Sequence, residues 1–207
     1  MWVSHFLQLL ARVLVGAYPR WVGSQPNHNQ RIYVANHTSH IDTVAIWAAL
    51  PTHLQAHTHS VAAWDYWANN KFKRWLTTNG LNAVYIKRSK DDANGEDPLQ
   101  PLYDTLAKGE SLIIFPEGTR NKGEIPQPFK SGIYHLAKRF PHVEFIPVYL
   151  ENLSRIMPKG EFWPVPLACT ARFGTPFYLQ EDEDKDDFLE RARQGVIAAR
   201  APNVASN

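Results

Sequence analysis

Short apolar runs, rich in β-branched and aromatic residues, alternate along this chain with stretches whose apolar residues recur at helical spacing. The predicted strands are residues 31–35 (RIYVA), 82–86, 111–115, 144–150 and 167–173. The predicted helices are residues 43–50, 64–77, 98–108, 130–139 and 184–200. Continuous apolar strands are typical of sheets buried on both faces, and their alternation with helices is typical of parallel sheets. At 207 residues, the pattern predicts an α/β fold, a single-domain sandwich with a central, mostly parallel mixed sheet flanked by helices.

The first 24 residues predict an amphipathic helix that precedes the main domain, residues 25–207. Apolar side chains such as Trp2, Phe6 and Leu10 fall on one half of a helical wheel. This helix either packs on the domain core or lies in the membrane interface as an anchor. A second aromatic and basic stretch, residues 64–75 (WDYWANNKFKRW), favours the interface. Because no window holds about 18 uninterrupted apolar residues, we expect no membrane-spanning helix.

Acidic side chains are concentrated in residues 181–187, which hold six acids and one lysine. The other 200 residues carry 21 basic and 14 acidic side chains. Such a basic body is either an ordinary solvated surface or one suited to anionic lipid or phosphate. The seven tryptophans and the basic charge are also compatible with nucleic-acid binding, but no recognition motif accompanies them, so we expect no nucleic-acid partner. Cys169 is the only cysteine, which excludes an internal disulfide.

The stretch NHTSHIDT, residues 36–43, follows a predicted strand and enters a predicted helix. Asp42 in the first helical turn can fold back onto one imidazole nitrogen of His37. An aspartate in this position fixes the tautomer and stabilises the imidazolium, leaving the other nitrogen free to accept a proton from a hydroxyl. Asn36 ends the strand, and Thr38 or Ser39 is a candidate helix cap.

The hexapeptide FPEGTR, residues 115–120, leaves the predicted strand 111–115 directly. Ligands in open α/β sheets bind at the carboxyl ends of the strands. The glycine permits close approach of the backbone, and the arginine can bind a phosphate in bidentate fashion. Because both motifs follow strands, the sequence predicts that they share one site.

A zinc site is the main chemical alternative, since five histidines occur within 23 residues: His37, His40, His53, His57 and His59. Zinc requires three or four converging ligands. The last three histidines follow Pro51 in a predicted polar loop, and neither an HExxH motif nor paired cysteines are present. We therefore expect no metal and no other cofactor. A serine hydrolase is disfavoured because no G-x-S-x-G motif occurs.

NHTSHIDT, YIKR, FPEGTR with FKSG, and IPVYL occur in the order and approximate spacing of the glycerolipid acyltransferases, and the chain resembles the 1-acylglycerol-3-phosphate acyltransferase type. The resemblance covers roughly residues 30–150. It implies that His37 is the general base and that Asp42 orients it. It also implies that Arg88 of the second motif and Arg120 of the third hold an acceptor phosphate in a pocket shaped by Glu117, Gly118 and Thr119. Lys130 of FKSG then assists either phosphate binding or the developing oxyanion.

The activity implied by this resemblance is transfer of a fatty acyl group from an acyl thioester to a hydroxyl of a lysophospholipid, giving phosphatidic acid from 1-acylglycerol-3-phosphate. The donor is acyl-CoA or acyl carrier protein. The implied partner surface is a membrane, with the protein peripheral or monotopic on its cytoplasmic side. Two alternatives stay open: another hydroxylated lipid acceptor, and a noncatalytic lipid-binding domain that retains the fold.

Overall fold

The fold is built on a seven-stranded sheet. The structure is a computed structural model, and it describes residues 17–39, 41–64, 81–87, 97–121, 123, 125–151 and 169–200. The strands are β1 (Ala17–Trp21), β2 (Arg31–Ala35), β3 (Thr58–Ala63), β4 (Val84–Ile86), β5 (Ser111–Ile114), β6 (Glu144–Glu151) and β7 (Cys169–Phe173). Their order is β1-β7-β6-β2-β5-β3-β4, and every neighbouring pair is parallel except β6 with β7. The predicted mostly parallel mixed sheet is confirmed.

Helices cover both faces of this sheet. They are α1 (Asp42–Ala49), α2 (Thr52–Gln55), α3 (Gln100–Ala107), α4 (Gly132–Arg139) and α5 (Lys185–Ala198). Alternate residues of β2 point to opposite faces: Tyr33 belongs to the core cluster that contains α1, and Val34 to the cluster that contains α3, α4 and α5. Burial on both faces explains why β2 is a continuous apolar run.

The carboxyl-terminal helix begins as the sequence predicts, at the acidic run. The carboxylate of Asp184 accepts hydrogen bonds from the backbone N–H groups of Asp186 and Asp187, at 2.8 and 2.9 Å, and so caps α5. Acidic residues in the first turn also oppose the positive end of the helix dipole. The apolar face of α5 contains the buried residues Phe188 and Val196.

The prediction that residues 1–24 form one helix is wrong from residue 17 onward, because Ala17–Trp21 is strand β1. This segment pairs in parallel with β7, and Trp21 stacks on Phe173 with 4.0 Å between ring centroids. Pairing with a partner strand thus overrides the local helical pattern. Residues 1–16 lie outside the described residues, as do residues 65–80, which hold most of the predicted helix 64–77.

The segment after Pro51 is not the predicted polar loop. It forms α2 and then β3, in which Thr58, Ser60 and Ala62 are buried and alternate with more exposed neighbours. Buried hydroxyls replace the usual apolar residues: Thr58 donates to the carbonyl of Leu54, and Ser60 to that of Leu81.

Parallel pairing of β2 with β5 brings their carboxyl ends to the same edge of the sheet. The NHTSHIDT stretch leaves β2 there, and FPEGTR leaves β5 beside it. Among the residues just described, no helix has the length and apolar character needed to cross a membrane.

Candidate active site

His37 and Asp42 form a hydrogen-bonded pair at the end of β2. The His37 Nδ1 atom lies 2.8 Å from Oδ2 of Asp42. The Asp42 side chain is fully buried, whereas the His37 ring retains 23% of its exposure. The predicted contact is therefore present, between a buried carboxylate and a partly exposed imidazole.

Asp42 Oδ2 accepts two further hydrogen bonds, from the backbone N–H groups of Thr38 and Ser39, at 2.6 and 2.8 Å. An oxygen that accepts from these donors cannot donate a proton to the imidazole, so the proton on this contact belongs to His37 Nδ1. His37 Nε2 then carries the lone pair in the neutral ring. The local backbone thus selects the tautomer that a general base needs.

The surroundings of the pair are apolar on two sides. The His37 ring stacks on Phe115, with ring centroids 4.4 Å apart. Behind the pair, burial raises the pKa of the Cys169 thiol to about 12, with added contributions from the negative charges of Asp42 and Glu151. Cys169 therefore stays a neutral thiol near the carboxylate and is no candidate nucleophile. Asp42 Oδ1 is buried without a hydrogen-bond partner in the described part of the chain.

Glu117 connects the two motif loops through backbone contacts. Its Oε1 accepts the backbone N–H of His37 at 2.8 Å, and its Oε2 accepts that of Gln127 at 2.9 Å. The residue is only 3% exposed. With both oxygens occupied by main-chain donors, Glu117 organises the loops and does not face a ligand directly.

Gly118 adopts a left-handed conformation, with φ at +69°. A Cβ atom at this position would lie 2.6 Å from Lys130 Nζ, so the ammonium group of Lys130 rests over the bare backbone. Thr119, Arg120 and Lys130 are exposed at the same edge of the sheet. Two cationic side chains and a hydroxyl therefore lie on the loop that follows β5, and cationic side chains are groups that can bind phosphate.

Asn36 holds β2 to β6 beyond their last paired residues. Its amide accepts the backbone N–H of Leu150 at 2.7 Å and donates to the Leu150 carbonyl at 3.2 Å. Ser39 is not the helix cap: the N-cap of α1 is Ile41, which makes no side-chain cap bond, and Ser39 Oγ instead accepts the Ile41 N–H at 3.4 Å. Arg88 lies outside the described residues.

Asn121 and Gln127 are site residues that sequence reasoning did not assign. The backbone N–H of Asn121 donates to the carbonyl of His37 at 2.7 Å. The Asn121 side chain also accepts from Gly123 N–H and donates to the carbonyl of Ile125, which folds the loop after FPEGTR. The turn-forming sequence Asn-Lys-Gly was the available signal. Gln127 contributes only its backbone N–H, so the identity of its side chain gave no signal of this role.

The histidines do not assemble a metal site in the described ranges, where no three His, Cys, Asp or Glu side chains are placed to hold a metal ion. His59 instead lies in β3, where its Nδ1 is 2.9 Å from the carbonyl oxygen of Asn82. His57 and His59 both approach Glu110 at the opposite end of β5 from His37. His40 is outside the described residues.

Comparison with known proteins places the chain among acyltransferases. The acyltransferase family model matches residues 22–151, well over half of the chain. A 1-acyl-sn-glycerol-3-phosphate acyltransferase from Limnanthes douglasii is 27% identical over 170 residues, which is 81% of this chain and 58% of that protein. A Dictyostelium discoideum protein named taffazin is 28% identical over 142 residues, 65% of this chain and 49% of its own length. The chain thus spans about half the length of these relatives.

A solved structure has the same fold. The crystal structure of the 1-acyl-sn-glycerophosphate acyltransferase PlsC from Thermotoga maritima aligns with a TM-score of 0.69 and 20% identity. The alignment covers 98% of this chain and 82% of that one. The fold of the chain, including α5 beyond the family match, is therefore that of a known acyltransferase.

Proposed function

Because the chain belongs to the acyltransferase family, and to its glycerolipid branch, we propose that it transfers a fatty acyl group from an acyl thioester to the hydroxyl of a lysophospholipid. The acceptor is 1-acylglycerol-3-phosphate, and the product is phosphatidic acid. The observation that carries this proposal is the 2.8 Å contact between His37 Nδ1 and Asp42 Oδ2, which leaves Nε2 as the nitrogen that can accept a proton.

The reaction needs no covalent enzyme intermediate. His37 Nε2 accepts the proton of the acceptor hydroxyl as its oxygen attacks the thioester carbonyl, which forms the C–O bond. The negative charge of Asp42 stabilises the imidazolium that results. When the C–S bond breaks, the imidazolium returns the proton to the leaving sulfur, so the thiol and the new ester are released and His37 is neutral again.

Arg120 and Lys130 bind the acceptor phosphate, together with Arg88 as the family resemblance implies. Both described cations are exposed and lie on the loop that also supplies Glu117 to His37. A phosphate held there places the glycerol hydroxyl toward the imidazole, since the hydroxyl and the phosphate of the acceptor are separated by a short carbon chain. Thr119 and the bare backbone of Gly118 complete the wall of this site.

The acyl donor is acyl-CoA or acyl carrier protein, and the lipid substrates require a membrane surface, so we propose peripheral or monotopic attachment on the cytoplasmic side. Trp64 and Ile125 are exposed apolar side chains near the edge of the sheet that holds His37, so a membrane contact there would bring lipid to the proposed base. Two findings support 1-acylglycerol-3-phosphate as the acceptor: the relatives are 1-acyl-sn-glycerol-3-phosphate acyltransferases, and the loop after β5 carries the cations Arg120 and Lys130.

Thiol release tests this function directly. Purified protein in lipid micelles is assayed with long-chain acyl-CoA, with and without lysophosphatidic acid, beside a His37→Ala variant. We expect release that depends on the lysolipid and on His37, with the variant at least about 10²-fold slower because general base catalysis is lost. Release by His37→Ala at the wild-type rate would contradict the base assignment. Absence of His37-dependent release with acyl-CoA, acyl carrier protein thioester and a panel of lysolipids would favour a noncatalytic lipid-binding domain.

A further inference from the structure

A single peptide group connects helix α5 to the catalytic loops. The carbonyl of Pro126 accepts a 2.9 Å hydrogen bond from Nε of Arg193 on α5. The N–H of the same peptide unit belongs to Gln127 and donates at 2.9 Å to Oε2 of Glu117. Glu117 in turn accepts the backbone N–H of His37 through its other oxygen. A continuous chain of hydrogen bonds therefore runs from Arg193 to the main chain of His37.

The geometry of the Pro126–Gln127 peptide group couples the contact with Arg193 to the contact with Glu117. The peptide is planar and trans, as no cis bonds occur in the described chain, so its carbonyl and its N–H point in opposite directions. A guanidinium on the carbonyl side fixes the rotation of the plane. It also polarises the group and strengthens the hydrogen bond that the N–H donates to the carboxylate.

Arg193 is itself held in position on α5. Its Nη1 lies 2.8 Å from Oε1 of Glu190, which also accepts from the side-chain amide of Gln194 at 2.7 Å. The Arg193 side chain is 20% exposed, and the helix beneath it is fixed by the buried residues Phe188 and Val196. The Arg193 guanidinium is therefore held by a rigid helix at the position where it contacts the loop.

We propose that Arg193 is a positioning residue for the general base, acting through the Pro126–Gln127 peptide and Glu117. This inference rests on the proposed role of His37. Helix α5 lies beyond residues 22–151, the part of the chain that matches the family model. The site therefore depends on a residue outside the motifs that identify the family.

The variant Arg193→Met tests this proposal because it keeps the apolar stem and removes the donor. We expect turnover to fall about tenfold with the KM values of both substrates little changed, because the base is misplaced while the binding groups remain. The amide proton signal of Gln127 should move upfield in NMR spectra as its hydrogen bond to Glu117 weakens. Arg193→Lys, which can still donate to Pro126, should recover most of the lost turnover.

Arg191→Met is the matched control on the same helix. Arg191 pairs with Glu183 and donates to the carbonyl of Tyr178, away from the catalytic loops. Its removal should lower the melting temperature and leave both turnover and the Gln127 signal unchanged. The two variants together separate loss of helix stability from loss of positioning.

Normal turnover in Arg193→Met, or an equal loss in Arg191→Met, would overturn the proposal. The function itself is judged separately by His37→Ala in the same assay. Loss of turnover in His37→Ala with normal turnover in Arg193→Met contradicts only the positioning role, whereas an active His37→Ala contradicts the proposed base. If Arg193→Met does not fold, Arg193→Ala takes its place, because alanine also removes the donor and favours the helix. A Gln127 signal at its wild-type position together with wild-type turnover in Arg193→Ala would contradict the proposal.

Discussion

The backbone N–H of His37 donates a 2.8 Å hydrogen bond to Oε1 of Glu117, a residue 80 positions further along the chain. The carbonyl of His37 accepts from the backbone N–H of Asn121 in the same loop. The main chain of the candidate base is therefore held on both sides by residues that follow β5. The FPEGTR motif therefore carries Arg120, which we propose binds the acceptor phosphate, and also holds the main chain of the proposed base through Glu117.

Glu117→Gln is expected to weaken this attachment. The amide keeps one acceptor oxygen but places an N–H₂ group against one of the two backbone N–H donors. We expect a destabilisation of roughly 1–3 kcal/mol, because a buried hydrogen bond is replaced by two opposed donors, together with a loss of turnover. Glu110→Gln, at the opposite end of β5, is the control and should retain turnover. Chemical denaturation and thiol release measure the two effects, and a fully stable, fully active Glu117→Gln would contradict the bridging role.

Asp42→Asn should remove charge while keeping shape. The amide oxygen can take the place of Oδ2 and still accept from Thr38 and Ser39, but no negative charge then stabilises the imidazolium of His37. We expect turnover to fall by about 10²-fold or more with circular dichroism unchanged. Asp104→Asn on α3, an exposed site, provides the comparison. Turnover near the wild-type value in Asp42→Asn would rule out an electrostatic role for the carboxylate.

Gly118→Ala and Gly109→Ala form a matched pair. Both glycines have left-handed φ angles, +69° and +81°, but a Cβ at 118 meets Lys130 Nζ at 2.6 Å while a Cβ at 109 meets nothing within 4 Å. Each substitution should cost about 1 kcal/mol of stability from backbone strain. Only Gly118→Ala should impair activity, through displacement of the Lys130 ammonium. Equal activity in the two variants would show that the position of Lys130 is unimportant.

Arg120→Ala is expected to weaken acceptor binding. If its guanidinium holds the acceptor phosphate, its loss should raise the KM for lysophosphatidic acid about tenfold or more, with a smaller change in turnover and little change in the KM for the donor. Arg139→Ala is the control, since Arg139 lies over the ring of Tyr103 near the far end of α4. An unchanged acceptor KM in Arg120→Ala would argue against the phosphate assignment.

Acid stability should depend on Glu144, which lies at the amino end of β6. Burial alone would raise the pKa of Glu144, but hydrogen bonds from Asn29 and Arg31 and the charge of Arg31 lower it below its ordinary value. A lowered folded-state pKa means that the stabilisation is fully present above the unfolded value of about 4.3 and is lost as the pH falls through the folded value.

The wild-type protein should therefore lose unfolding free energy as the pH falls below about 4.3, as measured by chemical denaturation at each pH. Glu144→Gln should be less stable at neutral pH and show a shallower loss in acid. Part of the slope will remain, because the hydrogen bond from Arg191 also lowers the pKa of Glu183. A slope identical to that of the wild type would contradict this assignment.

The sequence predicted the central strands because β2, β5 and β6 are buried on both faces and are therefore continuously apolar. It did not predict β3, whose inward positions are Thr58, Ser60 and Ala62 instead of branched apolar residues. Strand β1 contains proline and arginine, and its extended form depends on β7, which no local pattern reveals.

The pairing of His37 with Asp42 was predictable because both partners are side chains at a fixed spacing beside a helix start. The function of Glu117 was not, since its donors are backbone N–H groups that any residue could supply at positions 37 and 127. The contact of Arg193 with Pro126 could not be predicted for the same reason, because its acceptor is a backbone carbonyl, which every residue has.

The central position of β2 has a consequence for synthesis of the protein. Its neighbours, β5 and β6, come later in the chain, and the contact of Arg31 with Ser111 spans 80 residues. At roughly 5–20 residues per second, a ribosome takes on the order of ten seconds to make that length. Throughout this interval β2 has neither of its partner strands, so we expect the segment at the centre of the finished sheet to bind a chaperone during translation.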